Sequence, residues 1–380
     1  MRTFIGILAL ISLISCSEEQ YTVIRGVDVF DGVVVIKNVD FVFTSEEIKK
    51  ISANKRKYRN ATIINGQGQT IIPPLINAHV HIQGADNLKE ALSEGIFAVL
   101  DMFSTDGRAN YFRSYNDSLA YATFYSSNVG ATAPGGHGTQ FGVSIPTVND
   151  MLSPKEFVAE RVSQNADYLK ITYEVSMSRL DTSQLSALTR AIHSYNKIAI
   201  AHISDLQGGM EVIAQGIDGL AHIWYRQASI STEKDLEIMQ QKEVFVIPTL
   251  SVITKLIEHS KKIKLEENYL TKAALKEEIQ KIHTAGIPIL AGTDSPNFNM
   301  DYSTQYFQEL QLLKECGLTE IEVLQAATTN IYKHFKLEEF GQLKKGSSSS
   351  FILIEGQPHE RMEEIANDKR IWKFGVEVIL

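Results

Sequence analysis

The sequence predicts an α/β fold, with a (β/α)8 barrel beside a small β-sandwich that is built from both ends of the chain. Three observations predict it. Apolar runs alternate with helical patterns through the middle of the chain, polar residues follow several of these runs, and both ends are rich in β-branched residues. The predicted barrel covers residues 73–335, close to the roughly 250 residues typical of such barrels. The predicted sandwich combines residues 16–72 with 336–380.

Strand patterns separated by turn residues fill the chain ahead of the barrel, and they leave no room for the helices that connect parallel strands. The same character returns at the carboxyl end. We therefore expect the two ends to meet in one sandwich. The predicted strands cover residues 21–30, 33–43, 61–66 and 69–74, and then 350–356 and 372–380.

Eight short apolar strands are predicted for the barrel, with helical patterns after most of them. The strands cover residues 75–82, 97–103, 120–130, 167–173, 197–203, 219–225, 244–250 and 287–295. The helices cover residues 87–93, 151–165, 182–196 and 208–216, a helical pair over 255–285, and then 306–316 and 321–335.

The amino terminus has the pattern of a targeting segment, predicted to cover residues 1–15. Arg2 precedes a continuous apolar run over residues 4–14, which is shorter than the roughly 20 residues of a membrane span. The run ends in Leu-Ile-Ser-Cys, which resembles the bacterial lipobox, in which the cysteine, here Cys16, is acylated. The alternative is an ordinary secretory signal. The lipobox interpretation predicts a lipid-anchored protein of the cell envelope, on the outer membrane facing the periplasm or on the cell surface.

The amino-acid composition limits the kinds of molecule that the protein is expected to bind. The formal net charge of −8 argues against nucleic-acid binding, which normally needs a basic face. Besides Cys16, the only cysteine is Cys316, so no disulfide is expected within the mature chain. We expect a small-molecule substrate and a membrane contact through the lipid anchor. A homo-oligomer is compatible with the sequence.

Residues that can bind a metal follow the predicted barrel strands in a fixed order. The pair His79 and His81 lies on one strand, and strand periodicity points both imidazoles to the same side, where they could bind Zn²⁺. Side chains at the carboxyl ends of barrel strands form the active sites of such barrels. The six candidate ligands are His79, His81, Lys170, His202, His222 and Asp294.

Lys170 is unusual because it lies between Leu169 and Ile171 in a predicted buried strand, where an unpaired ammonium group is costly. One interpretation is a salt bridge to a carboxylate of the barrel. The other is a reaction with CO2 that gives a carbamate, which is anionic and can bridge two cations. The candidate ligands around Lys170 favour the carbamate.

These residues, together with the runs ATAPGGHGTQ at 131–140 and AGTDSPN at 291–297, resemble the amidohydrolase superfamily, in its binuclear type with a carboxylated lysine. The two runs are most similar to the imidazolonepropionase/prolidase-like branch. The resemblance implies a metal-dependent hydrolase of amide C–N bonds, acting on dipeptide-like or cyclic amides with two divalent ions, zinc being expected. In such an enzyme the inner ion would be held by His79, His81, Lys170 and Asp294, and the outer ion by Lys170, His202 and His222.

The resemblance implies that two cations share one water molecule and lower the pKa of that water, so that hydroxide forms near neutral pH. The hydroxide then attacks the carbonyl of the substrate. Asp294 would take the proton and pass it to the leaving nitrogen. His137, within a glycine-rich loop, resembles a residue that binds the oxyanion or the substrate; the alternative is an exposed loop histidine. Tyr173, Tyr225 and Arg226 are predicted to contact substrate, although Arg226 could equally be a surface residue.

Three further hypotheses stay open at this point. A lactonase or other ester hydrolase would use the same ligands, a deaminase would not need Lys170, and a non-catalytic surface binding protein would not need the complete ligand set.

The sequence also departs from the family pattern at Asn77, where an aspartate is usual, which predicts altered hydrogen bonding around the histidine pair. The remaining histidines of interest are interpreted as structural or solvated: His193, His283, His334 and His359.

Overall fold

The computed structural model describes residues 20–53, 58–226, 230–263, 269–299, 301–337 and 341–379. The predicted leader and its Cys16 lie outside these residues. Within them, no helix has both the length and the apolar character that a membrane crossing requires.

One eight-stranded sheet is formed by the two ends of the chain. Its strands follow in the order β15-β14-β13-β5-β1-β2-β3, with β4 also paired to β1. β5 joins the ends directly, because it pairs parallel with β1 and antiparallel with β13. The strands are β1 (Thr22–Phe30), β2 (Val35–Phe43), β3 (Ile48–Ser52), β4 (Thr62–Asn65), β5 (Gln69–Ile72), β13 (Phe351–Glu355), β14 (Lys369–Lys373) and β15 (Val376–Val378).

The sheet curves enough to pack one of its faces against itself. Phe41 on β2 lies 4.8 Å from Phe351 on β13, between ring centroids, although two strands separate β2 from β13. Phe43 also contacts Trp372 at 5.9 Å. The two chain ends therefore meet as predicted, but in a single hydrogen-bonded sheet, and a separate sandwich is not confirmed. The division of the chain into domains stays a prediction.

The middle of the chain forms two parallel sheets, of orders β6-β7-β8 and β12-β11-β10-β9. They are not joined into one continuous sheet. Isolated bridges connect their edges: Ala131 to Ile171, Val246 to Ile289, and Val80 to Ser295. The strands are β6 (Leu75–Val80), β7 (Ile96–Asp101), β8 (Thr123–Ser126), β9 (Leu169–Thr172), β10 (Ala199–His202), β11 (Gly219–Ala221) and β12 (Phe245–Ile247).

The predicted strand over residues 287–295 is not a continuous strand in the structure. It makes single bridges at Ile289 and Ser295 only. Between them, Asp294 has a left-handed backbone with φ of 61°, which interrupts the regular extended ladder. The segment still bonds to β6, because the amides of Thr293 and Asp294 both donate to the His79 carbonyl, at 3.1 and 2.8 Å.

Helices follow most of the parallel strands. The predicted helix over 321–335 is divided at Thr328, whose φ of −137° and ψ of −93° are not helical. The sequence patterns did not identify α2 or α6. The helices are α1 (Ala85–Ser93), α2 (Asp106–Arg113), α3 (Pro154–Ser163), α4 (Thr182–His193), α5 (Leu206–Ala214), α6 (Glu233–Gln241), α7 (Leu250–Lys262), α8 (Lys272–Thr284), α9 (Thr304–Glu315), α10 (Glu320–Ala327) and α11 (Thr329–Phe335).

Candidate active site

A cluster of two histidines and one carboxylate lies where β6 ends. His79 Nε2 is 3.2 Å and His81 Nε2 is 3.0 Å from the same oxygen, Oδ1 of Asp294. One potential ligand atom from each of the three residues lies within 4.8 Å of those of the others. The alternation of side chains along an extended chain brings both imidazoles to one side, as the sequence predicted.

Asn77 connects the two segments that carry this cluster. Its amide group donates to the Thr293 hydroxyl at 3.0 Å, and its oxygen accepts from the Thr293 amide at 3.2 Å and the His79 amide at 3.3 Å. These groups are buried, so each bond matters for holding the chain in place. The departure from the usual aspartate therefore falls on a residue that positions His79 and Asp294.

Two further histidines approach from the other parallel sheet. His202 ends β10 and His222 follows β11, and their ring centroids are 4.7 Å apart. His222 also lies 4.9 Å from His79. The Nδ1 atom of His222 is 2.7 Å from the hydroxyl of Thr249, which fixes the ring orientation. Both His222 and Thr249 have left-handed backbones, with φ of 75° and 49°, a strained conformation that is concentrated at functional sites.

Lys170 completes the group from β9. Its side chain is buried, and among the described residues its Nζ has no hydrogen-bond partner. Burial lowers the pKa of Lys170 to about 7, although the nearby Asp294 carboxylate acts in the opposite direction. A neutral amine is thus accessible to Lys170 near neutral pH.

The charge state of the cluster suits cation binding. Burial and the field of Lys170 lower the pKa of His79 to about 3, so its ring is neutral. For Asp294, burial alone would raise the pKa, but His79 and His81 outweigh it and hold the pKa well below the usual value. For His81, burial would lower the pKa, but the hydrogen bond and charge of Asp294 outweigh it and raise the pKa. The neutral His79 ring beside the ionised Asp294 is in the protonation state that metal ligation requires, and His81 would release its proton when an ion binds.

Buried polar atoms without hydrogen-bond partners also indicate that these residues can bind a metal. Within the described part of the chain, His79 Nδ1, Lys170 Nζ and His202 Nε2 are buried without a hydrogen-bond partner. Buried polar atoms normally have partners, so atoms without one on residues that line the same cavity indicate a bound ligand. The imidazole and carboxylate donors match those of zinc sites.

The cluster forms the floor of a cavity of about 480 Å³. All six predicted ligands line it, and so do His137 and Tyr225. His137 stacks on His202, with ring centroids 4.4 Å apart and an angle of 12° between the planes. Burial and the proximity of His202 lower the pKa of His137 to about 3.

The loop that carries His137 depends on its glycines. A Cβ at Gly136 would collide with the Thr132 hydroxyl and with the Ser178 carbonyl. The loop is also tied to β9, because the Thr172 hydroxyl donates to the His137 carbonyl at 2.9 Å. The glycines of this loop therefore permit close packing within the protein.

Two of the predicted substrate contacts do not line the cavity. The hydroxyl of Tyr173 donates instead to Glu211 on α5 at 2.5 Å. The guanidinium of Arg226 lies 5.9 Å from the ring of Tyr269. Their contact with substrate stays a prediction that this geometry does not favour, whereas His137 and Tyr225 are placed to meet a ligand.

Sequence reasoning missed two acidic residues that support the ligands. Glu174 is buried, lies 3.7 Å from His202 between Oε2 and Nε2, and accepts hydrogen bonds from Ser204 and Ser176 at 2.9 Å. Although burial alone would raise it, these neighbours lower the pKa of Glu174 to about 2. The only signal was its position two residues after β9, at the end of the strand that carries Lys170.

The second acidic residue is Asp101, the last residue of β7. Its carboxylate accepts from the Ile82 amide at 2.8 Å and from the Ser126 hydroxyl at 3.1 Å, so it fixes the chain next to His81. Burial raises the pKa of Asp101 to about 6.

The histidines interpreted as structural lie outside the cavity lining: His193, His283, His334 and His359.

Comparisons with known proteins agree with this geometry. No curated protein matches the sequence. Among solved structures, the chain is similar to a Xaa-Pro dipeptidase with bound methionine in its active site, with a TM-score of 0.79, 18% identity, and coverage of 94% of this chain and 99% of that one. It is also similar to molinate hydrolase (TM-score 0.75, 16% identity, 95% of each chain covered) and to A. niger ochratoxinase (TM-score 0.76, 19% identity, 95% and 96% covered).

At such identities these structures establish a shared fold. The model of the amidohydrolase family matches residues 70–374, which is most of the chain and includes every ligand candidate described above. The chain therefore belongs to the amidohydrolase family and is an enzyme of that family.

Proposed function

We propose that the protein is a metal-dependent hydrolase of amide C–N bonds. The observation that carries the proposal is the convergence of six potential ligands, from both parallel sheets, on the floor of one cavity. We also infer that the two sheets and the segment 287–295 together form a (β/α)8 barrel. The bridges at Ala131, Val246 and Val80 support this arrangement.

Two divalent ions, with zinc expected, would be held by these ligands. His79, His81, Lys170 and Asp294 would hold one ion, and Lys170, His202 and His222 the other. When bound, such ions lower the pKa of water and polarise a carbonyl group. The neutral His79 ring and the ionised Asp294 are already in the protonation states that this role needs, whereas His81, whose pKa Asp294 raises, would lose its proton when an ion binds.

Lys170 would serve as a ligand after reaction with CO2. The neutral amine attacks the carbon of CO2, a C–N bond forms, one C=O π bond opens, and a proton leaves the nitrogen, giving a carbamate anion. Only the neutral amine can react in this way, and burial makes it available near pH 7. The carbamate also replaces a buried ammonium group with an anion that cations can neutralise.

Asp294 and His137 would act on the substrate itself. The Asp294 carboxylate accepts the proton of the attacking water and delivers it to the leaving nitrogen. The neutral His137 ring, held against His202 at the cavity wall, carries an N–H that can donate to the carbonyl oxygen as negative charge develops there. Tyr225, which also lines the cavity, is a second contact for the substrate.

The location is a proposal from the sequence alone. The Leu-Ile-Ser-Cys run supports acylation of Cys16 and anchoring of the enzyme at the cell envelope. Such an anchor would place hydrolysis outside the cytoplasm.

The test is to measure the metal content and amide hydrolysis of the purified enzyme beside Lys170→Ala. Lys155→Ala, at an exposed position of α3, is the control. We expect close to two ions per chain in the parent and control proteins, and a sharp fall of metal and activity together in Lys170→Ala. One ion or none in the parent, with activity that does not depend on Lys170, would contradict the proposal and favour a deaminase or a binding protein. Cleavage of lactones but not amides would indicate an ester hydrolase.

A further inference from the structure

We propose that the cavity selects uncharged amides that carry a large apolar group, preferably an aromatic one, over short peptides with a free carboxylate. This inference rests on the proposed function and specifies its substrate class. It is carried by the composition of the cavity wall, by two exposed phenylalanines at its mouth, and by the position of the nearest cations.

The wall above the ligand cluster is apolar, and much of it comes from α7. Val252, Ile253 and Leu256 line the cavity from the first turns of this helix. Residues 252, 256 and 259 are spaced to share one helix face. Further along this face, His259 contacts the ring of Phe298 at 5.8 Å. One side of the cavity is therefore lined by apolar residues of α7, and the ring of Phe298 lies close to the same helix.

Another part of the wall is built from loops and has the same apolar character. Met102 and Phe103 follow β7, and Phe141 lies in the short turn Thr139–Phe141 after the His137 loop. The Phe141 ring contacts His137 at 5.8 Å. A ligand whose carbonyl reaches His137 would thus bring its neighbouring atoms against Phe141.

Phe141 and Phe298 are the only phenylalanines among the described residues that are exposed, at 67% and 44% of their surface. Each sits at the cavity mouth on a different segment of the chain. Exposed apolar groups are unfavourable in water, and a patch of them at a cleft marks a ligand-binding surface. Covering both rings with an apolar group would recover this free energy.

The cavity offers no obvious ionic partner for a carboxylate. Apart from the histidines, the only basic residue among its described lining residues is Lys170, which belongs to the floor. Two cations outside the lining already have partners in the protein. Lys255 on α7 donates to Gln305 at 2.9 Å, and Arg226 lies over Tyr269 and is hydrogen-bonded to Tyr225. When the amide carbonyl of a substrate lies at the metal floor, its carboxylate would lie against the apolar wall, away from the ions. The carboxylate would lose hydration there without gaining a cation, so a free carboxyl group should weaken binding.

The volume fits such a ligand. At about 480 Å³ the cavity lies within the roughly 300–1,000 Å³ of small-molecule sites. An amide bearing a phenyl group can place its carbonyl near the floor while the ring lies between Phe141 and Phe298.

Four related compounds separate the effect of the ring from that of the charge. N-acetylphenylalanine has both a phenyl ring and a carboxylate, and N-(2-phenylethyl)acetamide is the same molecule without the carboxylate. N-acetylalanine and N-ethylacetamide are the corresponding pair without the ring. Hydrolysis (kcat/KM) and calorimetric binding would be measured for each compound with the metal-loaded enzyme. We expect N-(2-phenylethyl)acetamide to exceed both its charged counterpart and N-ethylacetamide at least tenfold.

Variants at the mouth test the assignment of the pocket. Phe141→Ala and Phe298→Ala should each reduce the preference for the aromatic compound about 2- to 10-fold, as expected for loss of one aromatic contact. Phe298→Arg adds a cation at the mouth and should shift the preference towards N-acetylphenylalanine. Tyr195→Ala, at an exposed aromatic residue that does not line the cavity, is the control and should leave the preference unchanged.

The outcomes distinguish this inference from the proposed function. Binding of the uncharged aromatic compound without hydrolysis of any of the four would support the pocket and contradict the hydrolase. Hydrolysis with a preference for the carboxylates, or for the compounds without a ring, would support the hydrolase and overturn the pocket. Equal or absent binding of all four compounds would also overturn it.

Discussion

His137 stacks face to face on His202, with ring centroids 4.4 Å apart. The first residue belongs to a loop and the second to the end of β10, so this contact connects the catalytic floor with the cavity wall. Burial lowers the pKa of both rings, and two neutral rings can stack without charge repulsion. His137 therefore packs against a candidate ligand but is not itself one of the candidate ligands.

This asymmetry predicts the behaviour of His137→Ala. Because His137 is proposed to donate to the developing oxyanion, its loss should lower kcat by about 10²- to 10³-fold while the metal content stays unchanged. Gln140→Ala is the control, since the Gln140 amide lies 3.3 Å from His137 Nδ1 and removing it should only loosen the ring. Steady-state kinetics with metal analysis would check this. Full activity in His137→Ala, or loss of metal, would contradict the assigned role.

Glu174 should tune metal binding without touching substrate. Its ionised carboxylate lies 3.7 Å from His202 Nε2, and hydrogen bonds from Ser204 and Ser176 hold it in place. Glu174 faces the same nitrogen of His202 that lacks a hydrogen-bond partner, so its charge would act on an ion there as well as on the ring. Substituting a carboxylate next to a ligand histidine typically changes metal affinity about 10- to 100-fold. We expect Glu174→Gln to weaken metal affinity by this factor, measured by competition with a chelator. Glu160→Gln, on the exposed face of α3, should bind metal as the parent does.

Asn77 provides a test of stability rather than catalysis. Asn77→Leu keeps a similar volume but leaves the buried amides of Thr293 and His79 without their acceptor. Each unsatisfied group costs about 1–3 kcal/mol, so the free energy of unfolding should fall by about 2–4 kcal/mol. Asn87→Ala removes only a cap of α1 and should cost about 1 kcal/mol. Urea denaturation would measure both, and equal losses in the two variants would contradict a bracing role for Asn77.

The positions of the candidate ligands could be predicted because strand ends are local features of a sequence. His79, Lys170 and His202 each lie on a short apolar run, and parallel strands bring their carboxyl ends to one side. The structure places all of them in one cavity, together with His222 and Asp294. Neither the metal nor the carbamate follows from this geometry alone, and both stay proposals.

Features that depend on distant contacts could not be predicted. Glu174 resembles any solvated loop carboxylate until Ser204, 30 residues away, covers it. The single curved sheet depends on Phe41 meeting Phe351, a contact between opposite ends of the chain. Phe141 and Phe298 lie in loops without periodicity, so only the folded structure shows that they share a cavity mouth.

Glu309 on α9 should make stability depend on pH. Its carboxyl group is buried and accepts hydrogen bonds from the amides of Leu250 and Ser251 at the start of α7, at 3.0 and 2.7 Å. Burial outweighs these bonds and raises the pKa of Glu309 to about 7, from an ordinary value of 4.5. Between about pH 4.5 and 7 the folded state keeps a proton that the unfolded state has lost. Stability from this group is therefore present at low pH and is lost as pH rises through 7.

Glu309→Gln should abolish this dependence, because the amide stays neutral at both pH values. Its single oxygen can accept from only one of the two α7 amides, so Glu309→Gln should be less stable than the parent protein at pH 5. Raising the pH from 5 to 8 should lower the free energy of unfolding of the parent protein. In Glu309→Gln this decrease should be smaller, by on the order of 3 kcal/mol. Urea denaturation at the two pH values would measure the difference. Glu315→Gln, at an exposed position of the same helix, should keep the parent's pH dependence. If Glu309→Gln and the parent lose stability equally between the two pH values, Glu309 does not carry the buried proton.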